Sequence, residues 1–347
     1  MGVGAVWYRI GSELLAKGQR SCESENSSCF LSFLQPAHNA HQLAMAMFWD
    51  VAREPGAYEC LQTQRIFGQD WNQFMNQYLS LAADLQRHES SGLPQAKETY
   101  GLRVPELKIG IASVCAYNET SKLHGIDEIS LKNREQYVAK HGYRNVFETD
   151  NVAAPKHPVW SAFALPLKML ESGEFDYVMW MDCDALFIDQ TRTIEDLMFI
   201  AEPELASEPG NSKADLFISE DGRGLSGGNW IIRNSPWSIQ LLKTLLHNPE
   251  YDEWDLRDQF SLLWTLLRPS VSKTVQDVER TWGGLGYPDN VRLIPQRLLN
   301  AYPWSLCRPS HHCFEDEKDF IVSFITLSSL SREMGFTLLD SFASRND

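Results

Sequence analysis

The residues of this chain with the clearest chemical potential are Asp182 and Asp184, which flank Cys183 directly after the apolar run Tyr177–Met181. A stretch of strand length with no alternation of apolar and polar positions is what a parallel sheet covered on both faces requires. In open α/β sheets ligands bind outside the carboxyl ends of the strands, so carboxylates at this exit are aimed at a binding crevice. A turn at the strand end lets both converge on one hard cation. Oxygen donors with coordination positions left open suit Mg²⁺ or Mn²⁺ bridging a diphosphate. A cation held there would neutralise charge building on a leaving phosphate. Two other readings compete. The aspartates could be solvated residues at a strand exit, or the Asp-x-Asp of a haloacid dehalogenase-type phosphatase, whose first Asp is the nucleophile. The phosphatase pattern continues with Gly and then Thr or Ser, which Ala185-Leu186 breaks. Asp189 reads as a loop carboxylate or a helix cap.

Three further groups could contribute. Gly227 and Gly228 allow close approach of backbone to a ligand, or mark a bulge. Asp258 and Gln259 open an expected helix, where an Asp is often a cap. Arg233, at the end of an expected strand, is suited to pairing with a carboxylate and bracing the sheet.

The elements that must position these residues follow from periodicity. Strands are expected at Ile109–Ala116, Asn145–Glu148, Tyr177–Met181, Asp215–Ser219, Asn229–Arg233, Val291–Ile294 and Asp319–Phe324. Helices are expected at Asp127–His141, stopped by Gly142, and at Trp160–Glu171, Pro236–Leu246 and Asp258–Leu267. Alternation of strand and helix implies a parallel sheet of nucleotide-binding type. Upstream, Trp71, Phe74, Tyr78, Leu81, Ala82 and Leu85 recur at helical steps and form a packing stripe. The Ser-, Gly- and Pro-bearing stretch 89–107 reads as a linker.

Composition excludes several classes. The formal charge of -15 opposes nucleic-acid binding, which needs an excess of Lys and Arg. It leaves open an anionic ligand carried by a cation. No apolar run approaches the roughly 18 residues of a membrane helix. The first 25 residues lack a basic start followed by an apolar stretch, so no signal peptide is expected. The seven cysteines show no CxxC pair and no zinc spacing, and their odd count and wide spacing do not make a disulfide framework. Cys22–Cys29 and Cys307–Cys313 are close enough to pair, which the sequence leaves undecided. Sequons occur at Asn26 and Asn118.

The segment around Asp182 and Asp184 resembles the metal-binding stretch of the galactosyl-, mannosyl- and xylosyltransferase family, which includes fungal Golgi α-mannosyltransferases and plant xyloglucan xylosyltransferases. Other segments agree in the family's order: Asn133-Arg134, Tyr137, His141-Gly142-Tyr143, Trp160, the run Gly224 to Asn234 and Trp237-Ser238. They are followed by Asp258-Gln259, Ile294-Pro295-Gln296 and Asn300-Ala301-Tyr302-Pro303. The matches span about residues 106–324.

The resemblance implies an α/β GT-A (Rossmann-like nucleotide-diphospho-sugar transferase) fold, here with a helical N-terminal extension. It implies Mn²⁺ (or Mg²⁺) on Asp182 and Asp184, and retaining transfer from UDP-galactose, UDP-xylose or GDP-mannose to a glycan acceptor. Ser113, Asp182, Cys183, Asp184, Gly227, Gly228 and Asn229 are then expected at the donor, with the Ser113–Asn118 exit near base and ribose and the Asn118 sequon unused. Gln259 is expected to steady the oxocarbenium-like centre and Asp258 to orient a sugar hydroxyl. It further implies a Golgi location, with other Golgi glycosyltransferases as possible partners. The expected organisation is a loose N-terminus (1–37), a helical stem or lid (38–104), a GT-A catalytic domain (105–325) and an atypical tail (326–347). Two positions depart from the family. Ser323 stands where a metal-binding His is usual, and Ala162 where a Lys is usual. The first departure motivates a second reading, a weakly active or inactive sugar-nucleotide-binding subunit.

Overall fold

The computed structural model describes residues 107–346 apart from 203–204, 206–211, 222–223, 254–256, 272–287, 308–312, 316–318 and 326. The expected helical extension, the stripe from Trp71 to Leu85, Cys22, Cys29 and the Asn26 sequon lie outside the described residues.

In chain order the elements that matter are β1 (Ile109–Val114), α1 (Ile126–His141), β2 (Arg144–Glu148), α2 (Ser161–Glu171), β3 (Tyr177–Met181), β4 (Ala185–Phe187) and α3 (Ile194–Ala201). They continue with β5 (Leu216–Asp221), β6 (Gly224–Arg233), α4 (Pro236–His247), α5 (Arg257–Val271), β7 (Val291–Leu293), α6 (Gln296–Leu299), β8 (Ile321–Ser323) and α7 (Arg332–Ala343). Six strands form one sheet in the order β2-β1-β3-β6-β5-β7. β1 runs parallel to both β2 and β3, β6 is antiparallel to β3, and β5 is parallel to β7. This is the α/β, Rossmann-like architecture expected of a GT-A fold.

The local reasons are visible. All five residues of β3 are buried, as its unbroken apolar run demands. α1 stops at Gly142, whose φ of 71° is the left-handed conformation that glycine adopts without a Cβ clash, and its N–H closes on the Val138 carbonyl. Thr193 caps α3 in a reciprocal box with Asp196. Gly110 in β1 lies against α2 and the chain beyond it, so a Cβ there would come within 2.6 Å of Met169 and 2.7 Å of Phe175. Arg233 braces the sheet as expected, its guanidinium lying 2.6 Å from Asp215.

Four of these elements were not anticipated from sequence: β4, α3, α6 and α7. β4 is only three residues long and pairs antiparallel with β8, Ala185 opposite Ser323, to form a second small sheet just beyond the paired aspartates. Its partner is remote in sequence, so no local signal announces it. α7 lies within the expected tail, and its Leu339 and Phe342 enter an apolar cluster with Cys115, Cys183, Leu186, Val322 and Phe324.

By contacts the chain divides into two compact units. One comprises Leu93–Asp221, Ser226–Asp252 and Asp289–Asp347 and holds β1 to β5, most of β6, β7 and β8. The other includes Gly222–Leu225 and Glu253–Pro288, and so contains α5.

Candidate active site

The site begins where β3 ends. The Asp182 N–H still joins the sheet, donating to the Gly228 carbonyl at 2.9 Å, while the Asp182 carbonyl accepts the Ala185 N–H at 3.2 Å. Those two bonds make Cys183-Asp184 a turn between β3 and β4, the turn required for the carboxylates to converge. The indole N–H of Trp180 holds Asp182 Oδ1 at 2.9 Å. Both aspartates act on the same two neighbours, Tyr117 and Arg134. Burial first, and then the charges of Asp184 and Asp182, push the Tyr117 hydroxyl far above its usual range. Burial lowers the Arg134 guanidinium to about 9, opposed by the same two carboxylates. Arg134 is therefore still a cation at neutral pH.

Arg134 is fully buried and serves as the scaffold of the turn. Its Nε donates to Ser113 Oγ at 2.7 Å, and its Nη1 to the carbonyls of Ser130 (3.0 Å) and Ala185 (3.3 Å). Its Nη2 donates to the carbonyls of Met181 and Asp182. The rest of α1 continues the grip. Ser130 Oγ donates to the Cys183 carbonyl. Asn133 exchanges two hydrogen bonds with the backbone of Phe187, at 2.9 and 2.8 Å. Tyr137 stacks on Phe187 at 3.8 Å between ring centroids, and its hydroxyl donates to the Arg192 carbonyl. His141 Nε2 lies 2.9 Å from the Gln190 carbonyl. Positions 130, 133, 134, 137 and 141 recur at helical steps and share one face. Polar residues thus line the inward face of α1. The spacing was in the sequence, but an apolar-periodicity reading passes over a buried polar stripe.

A second network lies on the β6 side. Asn229 is fully buried. Its Nδ2 lies 2.7 Å from the Leu299 carbonyl, Asn300 Oδ1 and Ser323 Oγ, and its Oδ1 accepts the Asp182 N–H at 3.3 Å. Ser323 Oγ in turn donates to Asn300 Oδ1 at 3.1 Å, and Asn300 Nδ2 donates to Ser219 Oγ at 2.7 Å. The Ser323 hydroxyl is engaged by these two amides. His311 and His312 lie outside the described residues.

The expected donor residues therefore fall into two layers. Asp182, Asp184, Gly227 and Gly228 are half-buried, at the rim of the site. Ser113, Cys183 and Asn229 lie beneath, almost fully buried. Ser113 Oγ donates to the Met181 carbonyl at 2.7 Å, so its contact is with the turn. Space is limited at Gly228. A Cβ there would stand 3.0 Å from Asn300 Oδ1 and 3.3 Å from Asp182 Oδ2. Asp258 and Gln259 open α5 in the other unit. Burial raises the Asp258 carboxyl above its usual range. Among the described residues the buried Gln259 Nε2 has no hydrogen-bond partner.

For a divalent cation the donor set is two carboxylates. Among the described residues no group of three or more His, Cys, Asp or Glu could hold a metal ion. Burial raises Asp184 to about 6, against the pull of its own backbone N–H and of Arg134. A half-buried acid held above its ordinary range gains from a nearby cation. Two hard oxygen donors therefore fit a divalent ion whose remaining positions are filled by a ligand's oxygens and water.

One correction concerns cysteine pairing. Cys307–Cys313, left open by sequence, is bonded. Cys115 and Cys183, 68 residues apart and not considered as a pair, form a second disulfide. Wide spacing did not preclude bonding, because adjacent parallel strands bring remote positions side by side.

A mostly parallel α/β sheet with paired carboxylates at a central strand exit defines the nucleotide-sugar transferase type of architecture. Residues 111–328 match the galactosyl transferase GMA12/MNN10 family, and the chain belongs to it. This is a glycosyltransferase family, which sets the phosphatase reading aside. The chain is 23% identical over 227 residues to the Saccharomyces cerevisiae protein named probable alpha-1,6-mannosyltransferase MNN10, covering 57% of this chain and 54% of that one. It is 28% identical over 114 residues to xyloglucan 6-xylosyltransferase 1 of Arabidopsis thaliana, covering 33% and 24%. Galactomannan galactosyltransferase 1 of Cyamopsis tetragonoloba is 24% identical over 137 residues, covering 38% and 31%. The chain thus spans about half or less of the length of these relatives. Among solved structures, a glycosyltransferase involved in glycosylating the major capsid of PBCV-1 is similar at 11% identity with a TM-score of 0.41, covering 67% of this chain and 99% of that one. Among the described residues no helix is long and apolar enough to cross a membrane.

Proposed function

We propose that this chain is a divalent-cation-dependent glycosyltransferase that moves a hexose or pentose from a nucleotide sugar to a glycan acceptor, with retention at the anomeric carbon. The observation that carries the reading is the turn after β3, where Asp182 and Asp184 share Arg134 and Tyr117 as neighbours within the stretch that matches the family.

In this reading Asp182 and Asp184 would hold Mn²⁺ or Mg²⁺, which when bound neutralises charge on the departing diphosphate. Gly227 and Gly228 let the sugar and phosphates approach the backbone. Arg134, Ser113 and Asn229 keep the two carboxylates in place from below. The residues beyond β1, from Cys115 to Asn118, face base and ribose, with Ser113 beneath them, so the Asn118 sequon stays unglycosylated. Asn118 already uses its Oδ1 as acceptor for the Thr120 N–H and hydroxyl. In retaining transfer without a covalent intermediate, the acceptor attacks from the face the diphosphate leaves. For Gln259 and Asp258, which open α5, the proposed roles are to steady the electron-poor anomeric centre and to orient a sugar hydroxyl. UDP-galactose, UDP-xylose and GDP-mannose are the donors to try. A Golgi membrane or lumen, alongside other glycosyltransferases, is the setting the family suggests.

The test is release or transfer of sugar from these donors with Mn²⁺, with EDTA, and in an Asp184→Ala variant. Cation-dependent turnover lost in the variant supports the transferase. The engaged Ser323 hydroxyl favours one second reading, a nucleotide-sugar-binding subunit with little activity of its own. Cation-dependent binding without turnover would select it.

A further inference from the structure

The disulfide between Cys115 and Cys183 crosses the site itself. The parallel register of β1 and β3 pairs Ile109 with Tyr177 and runs on to Ala112 with Trp180. Continued three residues further, it sets Cys115 opposite Cys183. Their Cα atoms are 5.2 Å apart, close to the roughly 4.8 Å between neighbouring strands and within the range a disulfide spans. The cross-link is thus a covalent rung that prolongs the sheet past the point where β3 turns away. On one side it holds Cys183, the residue between the two carboxylates. On the other it holds Cys115, whose N–H donates to the Glu148 carbonyl of β2 at 2.8 Å and whose carbonyl accepts the Tyr117 N–H at 2.9 Å.

Each remaining part of the turn is held by hydrogen bonds from a different direction. Arg134 and the Gly228 carbonyl fix the Asp182 backbone, and the Asp184 carbonyl accepts the Phe324 N–H at 2.8 Å. Beside the Ser113 hydrogen bond to the Met181 carbonyl, the Cys183 side chain ties the turn covalently to the end of β1. The sheet does not depend on it, since the β1–β3 ladder ends before the bond begins.

We propose that the Cys115–Cys183 disulfide is a positioning element of the donor site. It fixes the Asp182–Asp184 turn against the β1 exit, so that affinity for cation and nucleotide sugar requires this pair to be oxidised. The inference rests on the donor-site reading above. It makes the site competent in an oxidising compartment, where such bonds persist, and weak where thiols are kept reduced. Reduction by a dithiol breaks the S–S bond, delivers two electrons and two protons to give two thiols, and converts the dithiol to its cyclic disulfide.

The experiment is calorimetric titration with Mn²⁺ and the UDP- and GDP-sugars, on the oxidised chain and on Cys115→Ala, Cys183→Ala and the double variant. Mass spectrometry of unreduced peptides reports separately whether the link forms. Cys307→Ala/Cys313→Ala serves as a control that also removes a disulfide. The expected result is weakening by about tenfold or more in all three site variants, as for losses of residues that orient metal ligands. The double variant should be no worse than either single, because each removes the same bond, and the control should bind like wild type. Should a variant lose cooperative unfolding, wild type reduced by prolonged dithiothreitol treatment supplies the same comparison. Variants within twofold of wild type overturn the proposal, as does a double variant whose loss is the product of the singles. Oxidised wild type that binds no nucleotide sugar overturns the donor-site reading and this proposal with it, whereas wild-type binding with unaffected variants overturns this proposal alone.

Discussion

Replacing Arg134 by Met keeps most of the side-chain volume and removes the charge and all five donors. Three of the acceptors left behind are main-chain carbonyls of the turn, those of Met181, Asp182 and Ala185. The Met181 and Asp182 carbonyls keep a second donor, the Ser113 hydroxyl and the Ala185 N–H, so what each carbonyl loses is a hydrogen bond from a charged group, worth about 1.5–3 kcal/mol. Asp182 and Asp184 also lose the buried cation that both carboxylates act on. Small shifts and entry of water recover part of this, so the expected loss is about 3–5 kcal/mol, the range for breaking a buried ionic contact. That is a large share of the roughly 5–15 kcal/mol holding a typical domain. Urea unfolding at pH 7 without divalent cations should therefore show a midpoint well below wild type. Arg134→Lys should fall between the two, since it restores a point charge but not the planar fork that reaches several carbonyls at once. Donor affinity, measured where each variant is folded, should fall in the same order. Arg134→Met within about 1 kcal/mol of wild type, or Arg134→Lys indistinguishable from it, would refute the account of Arg134 as the scaffold of the turn.

Other expectations follow from the same geometry. Gly228→Ala, with its Cβ at 3.0 Å from Asn300 and 3.3 Å from Asp182, should displace the Asp182 carboxylate and weaken cation-dependent donor binding by about tenfold while unfolding remains cooperative. Ser323→Ala should cost about 1 kcal/mol for its lost hydrogen bonds yet leave Mn²⁺ affinity within about twofold, because the hydroxyl serves Asn229 and Asn300; a larger loss of affinity would make it a ligand. Asp184 binds a proton more tightly in the folded cation-free chain, at about 6, than unfolded at about 4. Its contribution to stability is thus full below pH 4 and lost as pH rises through 6. Asp184→Asn should accordingly stabilise the cation-free chain at pH 7, by up to about 3 kcal/mol, while abolishing cation binding; a variant no more stable than wild type at pH 7 would contradict this.

Much of the frame was legible in the residues. β3 occupies Tyr177–Met181, the bounds its apolar run implied, and α1 ends at the glycine that its pattern singled out. The turn that follows the strand is equally local, because burial, strand length and chain reversal are encoded over a few neighbouring positions. The layer beneath was not legible. Asn133, Arg134 and Tyr137 stood out only by resemblance, and their work on the Asp182-to-Arg192 segment has no apolar period to reveal it. β4 was missed because three residues carry too little pattern, and their partner β8 is far along the chain.

The sequence by itself determined an α/β core whose first three strands run parallel and whose third ends in two acidic residues. Only the tertiary structure decided what holds those side chains and which positions remain open beside them. The Arg134 fork, the Asn229–Asn300–Ser323 amide knot and the Cys115–Cys183 rung each join residues brought together by strand order and register. Such contacts depend on distances across the sheet, which no local run of residues encodes.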